Sequence, residues 1–296
     1  MSSDLPHKFK YIAPAKVNLC LDIGARQDDG YHPLTSIVGF TKFGDSLSIE
    51  SSNQDELKLI GRFSDKIDTN VSDNLVTKTL DILRKKYNSI PPLKIVIDKQ
   101  IPVGGGLGGG STDAATTFLA LNEIFSLDIS LSNLEKLAIK IGADVPVCLH
   151  RGFVKMEGIG NVITPMPDTK LAKYIVLAHA GCVANTREVF NKFDKNSVSK
   201  VSLLHQNPND IDQLLNGGNK LQVPATEIYP EIALLLKKMQ TLYPGELKKG
   251  TSTIQMSGSG ASCFALFDDS DMATAFCLQL RKAGYWSVST EFMINF

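Results

Sequence analysis

The chain has 296 residues, 43% hydrophobic and 21% charged, with 31 Lys and Arg against 31 Asp and Glu, a composition that suits one large or two medium globular domains. Balanced charge excludes a bulk positive field for nucleic acid or an anionic membrane, and no apolar run reaches a membrane-spanning length. The N-terminus lacks the apolar core of a signal peptide, so a cytoplasmic location is expected, and Cys20, Cys148, Cys182, Cys263 and Cys277, odd in number and without ligand spacing, read as buried thiols.

Along Ala15–Ile23, Val17, Leu19, Leu21 and Ile23 alternate with Lys16, Asn18, Cys20 and Asp22, predicting a half-buried strand with Lys16 and Asn18 on one face. Gln27-Asp28-Asp29-Gly30 predicts a turn that presents Tyr31 and His32. Strands are expected around Ser36–Thr41, Ser46–Ser51 and Leu57–Ile60. After Ser72-Asp73-Asn74, the positions Val76, Leu80, Leu83 and Tyr87 fit one helix face, and Leu93, Ile95 and Ile97 alternate as a strand.

That strand leads into Ile101-Pro102-Val103-Gly104-Gly105-Gly106-Leu107-Gly108-Gly109-Gly110-Ser111-Thr112-Asp113, with six glycines in the seven positions 104–110. Glycine lets backbone N–H groups approach an anion with no Cβ in the way, and the helix that follows offers its unpaired N–H groups and positive dipole end. The segment therefore reads as a polyphosphate cradle, with Ser111 and Thr112 adding hydroxyls at the helix start. Gly104-x-Gly106-x-x-Gly109 matches the dinucleotide fingerprint by letter, but Glu123, at the required distance, falls within a helical pattern and does not end a strand. Gly110 stands where a Walker A loop needs lysine, so the cation must come from elsewhere. A flexible linker is the competing reading, disfavoured by the adjoining amphipathic helix.

Ala114, Phe118, Leu121 and Phe125 recur at helical spacing, and Ser132-x-x-Glu135 predicts a capping box ahead of Leu134, Leu137, Ala138 and Ile141. Gly142 is expected as the C′ residue, leaving Ala143-Asp144-Val145 in a constrained turn before Pro146. In the second half, strands are expected at Tyr174–His179 and Ser262–Phe267, and helices near Thr186–Phe193, Ile211–Leu215, Ala225–Leu242 and Asp271–Ala283. A glycine-rich turn, Met256-Ser257-Gly258-Ser259-Gly260-Ala261, precedes the last strand. The cluster of Pro, Asp and Thr at Pro165–Thr169 suggests a boundary between domains 1–165 and 166–296.

Pro14-Ala15-Lys16-Val17-Asn18-Leu19, the 102–111 loop and Ser257-Gly258-Ser259-Gly260 resemble the three ordered motifs of the galactokinase, homoserine kinase, mevalonate kinase and phosphomevalonate kinase (GHMP) superfamily. Asp29-Gly30-Tyr31-His32, Asp73-Asn74-Leu75 and Gly142-Ala143-Asp144-Val145-Pro146 extend the likeness to members that phosphorylate a cytidine diphosphate-linked methylerythritol for isoprenoid precursors. The resemblance implies an α+β chain of two domains, a ribosomal protein S5 domain 2-like N-terminal one that binds ATP and a ferredoxin-like C-terminal one that binds substrate.

It also implies roles. Pro102, Gly104, Gly105, Gly106, Leu107, Gly108, Gly109, Gly110, Ser111 and Thr112 would hold the ATP phosphates, and Asn74, Leu75 and Lys99 would line the adenine pocket. Asp144 would be the general base and Lys16 its cationic partner. Tyr31 and Phe190 would sandwich the cytosine, His32 would bond its edge, and Asn18, Thr186, Gly258 and Gly260 would hold the diphosphate and methylerythritol. Mg²⁺ would bridge the β- and γ-phosphates, with no protein ligand assigned. Thr112 stands where such members usually have Ser, and Asn185 where Pro is frequent.

Taken singly, each residue has a plainer reading: Lys16 as a solvent-facing strand lysine, Asp144 as a turn residue, Tyr31 as a half-buried ring, His32 as a surface histidine. Their joint, ordered occurrence favours the site. Another GHMP kinase of homoserine or mevalonate type, a non-catalytic nucleotide-binding module and a nicotinamide oxidoreductase stay open as alternatives. The expected partner is a small molecule, with no nucleic acid and no membrane, and the sequence leaves monomer and weak homodimer both open.

Overall fold

The computed structural model describes residues 8–28, 30–67, 73–87, 89–166, 172–195, 211–245 and 253–293. They form two compact units: the first takes residues up to 15, 43–103 and 108–150, the second 16–42, 104–107 and 151 onward. The expected boundary at 165/166 is a cut in sequence, whereas these units interleave along the chain. Strands β1 (Phe9–Asn18) and β3 (Leu34–Ser51) each contribute residues to both.

In the first unit β3 pairs antiparallel with β5 (Leu93–Asp98), from Ser46 opposite Asp98 to Ser51 opposite Leu93, and β4 (Glu56–Ile60) runs parallel to β5. β5 alternates as expected, burying Leu93, Ile95 and Ile97. Helix α1 (Leu75–Lys86) starts where Asn74 Oδ1 accepts from Val76 N at 2.9 Å, and ends in Arg84, Lys85 and Lys86, whose charge suits the negative end of the helix. Helix α2 (Gly109–Ile124) packs on α1 and buries Ala114, Ala115, Phe118 and Leu121 completely. Large apolar side chains buried this way contribute about 1.5–3 kcal/mol each.

In the second unit the first half of β3 pairs antiparallel with β6 (Phe153–Gly158), from Leu34 opposite Gly158 to Gly39 opposite Phe153. It also pairs with the two-residue β2 (Asp22–Ile23), and β7 (Val162–Pro165) flanks β6. A separate antiparallel sheet runs in the order β11 (Trp286–Glu291), β8 (Tyr174–His179), β10 (Ser262–Phe267), β9 (Ile254–Met256). Helices α4 (Thr186–Lys195), α5 (Ile211–Asn216), α6 (Gln222–Ile228), α7 (Pro230–Leu242) and α8 (Ser270–Lys282) complete this unit. Its core joins Val176, Ala178 and Ala265 of the sheet to Val189, Leu235, Phe276 and Leu280 of the helices. No helix among the described residues is long and apolar enough to cross a membrane.

Several local expectations need correction. The strand expected over 15–23 ends at Asn18 and resumes at Asp22, because Leu19 N turns to Ile37 O and Leu21 N to Gly218 O, and residues 13–23 are buried on both faces. The pieces expected at 36–41 and 46–51 are one strand. The helix expected over 225–242 breaks at Tyr229, which leaves the helical conformation ahead of Pro230, as the proline ring favours. Ser132 caps nothing: α3 (Leu131–Ala138) begins after Ser130, and Glu135 pairs with His150 Nε2 at 2.8 Å. Gly142 lies four residues beyond the end of α3, where its N–H bonds Ala138 O at 3.2 Å. All five cysteines are free, four of them buried and Cys182 half-buried.

Candidate active site

In the second unit the three motif segments meet backbone to backbone. At the end of β1, Lys16 N donates to Leu107 O at 2.9 Å and Asn18 N to Ser257 Oγ at 3.1 Å. Ser257 Oγ passes its own hydrogen to Gly106 O at 3.0 Å, so one buried hydroxyl joins the β1 end to the glycine loop. Ser262 N bonds Gly105 O at 2.9 Å, and Asn219 Nδ2 gathers Met256 O and Gly258 O at 2.7 Å each. Gly106 sits at φ +71° with its missing Cβ directed at the Ser257 carbonyl oxygen and 2.9 Å from that of Gly260. Only glycine fits there without displacing backbone.

Lys16 and Asn18 are 5% and 3% exposed, so the solvent-facing reading of Lys16 does not apply. Asn18 Nδ2 donates to Ser36 Oγ at 2.8 Å. Next to the motif turn, Thr186 Oγ1 lies 2.8 Å from Ser259 Oγ. Asn185 Oδ1 accepts from Arg187 N and Glu188 N at 3.0 and 3.3 Å, so the departure at this position gives α4 an N-cap. Tyr31 is 59% exposed. His32 is half-buried, its ring centroid 5.5 Å from that of Phe190 and its Nδ1 3.0 Å from Gly24 O.

In the first unit Gly108, at φ +67°, caps the start of α2, and the N–H groups of Gly109, Gly110 and Ser111 head the helix where no intrahelical acceptor exists. Gly110 is exposed and Ser111 half-buried, whereas Thr112 is buried with its hydroxyl on Gly109 O at 3.0 Å. Asn74 spends its side-chain oxygen on the α1 cap beside Leu75. Asp144 lies exposed in the turn closed by Val145 N on Gly142 O at 3.1 Å.

Beneath the α2 start is a buried charge cluster. Lys99 Nζ bonds Asp45 Oδ2, and Asp113 Oδ2 at 2.6 Å; Asp45 Oδ1 accepts from Gln100 N and Ile101 N at 2.6 and 2.8 Å. Burial works against the Lys99 charge, but Asp113 and Asp45 outweigh it and raise its pKa. Asp113, whose Oδ1 is buried without a hydrogen-bond partner, is pushed up to about 7, by burial first, with Lys99 pulling it down and Asp45 pushing it up. Asp45, Asp113 and Asn219 carried no sequence signal; Ser257 stood in the third motif.

The GHMP kinases N terminal domain profile matches residues 74–152 and the GHMP kinases C terminal profile residues 199–285. The chain is 34% identical over 291 residues, 96% of each chain, to 4-diphosphocytidyl-2-C-methyl-D-erythritol kinase of Chelativorans sp. (strain BNC1). This chain belongs to the GHMP kinases. The 4-diphosphocytidyl-2-C-methyl-D-erythritol kinase of Rhizobium johnstonii is 36% identical over 259 residues, covering 86% of this chain and 83% of its own. A crystal structure of 4-(cytidine 5'-diphospho)-2C-methyl-D-erythritol kinase superposes with a TM-score of 0.76 at 26% identity, over 96% of this chain and 99% of that one. Homoserine kinase from Cytophaga hutchinsonii, with a TM-score of 0.66 and 16% identity over 97% and 96% of the two chains, shares the two-domain GHMP fold alone.

Proposed function

We propose that this GHMP kinase transfers the γ-phosphoryl group of ATP to the 2-hydroxyl of 4-diphosphocytidyl-2-C-methyl-D-erythritol. The observation that carries the reading is the knot of β1, glycine loop and Ser257 turn, which sets a buried lysine beside backbone suited to phosphates. The names of relatives that match over most of the chain supply the acceptor.

In this reading the 102–112 segment takes the ATP phosphates, through the heading N–H groups of α2 and its positive dipole end. Asn74, Leu75 and Lys99 line the adenine pocket, with the Lys99 ammonium held by Asp45 and Asp113. Asp144 accepts the proton of the attacking hydroxyl, and Lys16 neutralises charge developing on the γ-phosphoryl oxygens. Tyr31 and Phe190 take the cytosine with His32 at its edge, and Asn18, Thr186, Gly258 and Gly260 hold the rest of the acceptor.

Among the described residues no group of three His, Cys, Asp or Glu could hold a metal ion. A magnesium ion arriving on the nucleotide would take its ligands mainly from phosphate and water, and the half-buried Ser111 hydroxyl at the α2 start would be a protein oxygen at hand. When bound it would neutralise charge on the β- and γ-phosphates.

The test is ADP release from MgATP with three acceptors. Turnover on the cytidylyl substrate, with homoserine and mevalonate inert, supports the reading; turnover on either of those would reassign the acceptor.

A further inference from the structure

Helix α4 places Phe190 and Asp194 one turn apart on the face that meets the turn bearing Tyr31 and His32. The two nitrogens of His32 face different acceptors. Nδ1 is 3.0 Å from Gly24 O, and Nε2 is 3.3 Å from Asp194 Oδ1, an ion-pair distance without hydrogen-bond alignment. The other Asp194 oxygen lies 3.8 Å from Arg26 Nη1, and Arg26 Nε donates to Gly30 O at 2.9 Å. Gln27 N closes the same turn on Tyr31 O at 2.8 Å. One carboxylate on α4 therefore faces both limbs of the turn that carries Tyr31, while the His32 ring lies edge-on to Phe193 at 5.8 Å.

Asp194 is also a poor choice for the helix that carries it. It occupies the last turn of α4, where the exposed carbonyls disfavour an acid and where Lys192 and Lys195 are the fitting residues. A residue that breaks a local rule and turns its charge toward a neighbouring turn points to a role outside its own helix.

We propose that Asp194 is a positioning residue for the cytidylyl group. Through His32 and Arg26 it holds residues on both sides of Tyr31 against α4, so that Tyr31 and Phe190 hold their arrangement before the base arrives. The binding step then avoids the cost of ordering the Tyr31 turn. Asp194 touches no reacting atom, so its loss falls on acceptor binding and not on phosphoryl transfer. This rests on the reading that Tyr31 and Phe190 take the cytosine.

The experiment compares wild type, Asp194→Ala and Asp194→Glu by steady-state kinetics and by calorimetric titration with CMP. Asp194→Ala is expected to raise KM for the cytidylyl substrate and Kd for CMP about three- to tenfold. Its kcat and its KM for ATP should stay within about twofold of wild type. Asp194→Glu, which restores the charge on a longer arm, should recover part of the loss. If wild type binds CMP and Asp194→Ala binds it equally well, the positioning role is overturned while the cytidylyl reading stands. If kcat or the KM for ATP shifts by the same factor as the acceptor KM, Asp194 only supports the fold and the proposal is overturned. If wild type neither binds CMP nor uses the cytidylyl substrate, the functional reading has failed and takes the proposal with it.

Discussion

Two glycines of the 104–110 loop, Gly106 and Gly110, should respond to alanine in opposite ways. At Gly106 the backbone is left-handed, φ +71°, and an added Cβ meets the carbonyl oxygens of Ser257 and Gly260. The left-handed conformation costs a non-glycine residue about 1–2 kcal/mol. Forcing a methyl against backbone adds about 1–3 kcal/mol, as in overpacked sites. Gly106→Ala should therefore lose about 2–5 kcal/mol in urea unfolding. At Gly110, in the first turn of α2, the nearest neighbour of an added Cβ is Leu75 Cδ1 at 3.8 Å, so nothing is displaced. Helix propensity should leave Gly110→Ala as stable as wild type, or up to about 1 kcal/mol better.

The same Cβ at Gly110 tilts toward the N-terminus of the helix, where the phosphates are proposed to lie. Titration with a non-hydrolysable ATP analogue should show Gly110→Ala binding about tenfold more weakly, the scale of one lost or lengthened charge-assisted hydrogen bond. Wild-type stability in Gly106→Ala would refute the packing of the loop on the Ser257 turn. Wild-type analogue affinity in Gly110→Ala would take the phosphates away from α2.

Asp144→Asn should keep both substrates bound and lower kcat by about two orders of magnitude or more. Lys16→Met should lower kcat as well, and the double variant should lose less than the product of the two if the pair acts as one unit; near-wild-type turnover in Asp144→Asn would remove the base. Tyr31→Ala should raise KM for the cytidylyl acceptor about tenfold with ATP binding unchanged, since an aromatic stack on a base is worth about 1–3 kcal/mol. Asp113, with its pKa up to about 7 in the folded chain, binds its proton more tightly there than when unfolded. Wild-type stability relative to Asp113→Asn should then fall as pH rises from about 4 to about 7, by at most about 1.4 kcal/mol per pH unit, and level off above. A difference that does not change with pH would mean that folding leaves the proton affinity of Asp113 unchanged.

Strands β8 and β10 are legible in the sequence to the residue, because each is a short apolar run bounded by loop residues. β11 is hidden: Trp286-Ser287-Val288-Ser289-Thr290-Glu291 is mostly polar and becomes a strand by pairing with β8 along its whole length. The break at Tyr229 was written in Pro230, yet apolar spacing on either side reads through it. The glycine loop is legible because its density and the following helix are local. The cluster under it is not, since Asp45, Lys99 and Asp113 are joined only by the β3–β5 ladder and the packing of α2. The burial of Lys16 is equally invisible to a period-two pattern, which predicts one wet face where both are covered.

The central claim is phosphoryl transfer to the cytidylyl acceptor, and phosphorus NMR of a reaction containing MgATP, 4-diphosphocytidyl-2-C-methyl-D-erythritol and the wild-type protein tests it most directly. One new phosphomonoester resonance should grow with ADP while the two diphosphate resonances of the acceptor persist. Release of the γ-phosphoryl group as inorganic phosphate alone, or an unchanged spectrum from folded protein, would contradict it.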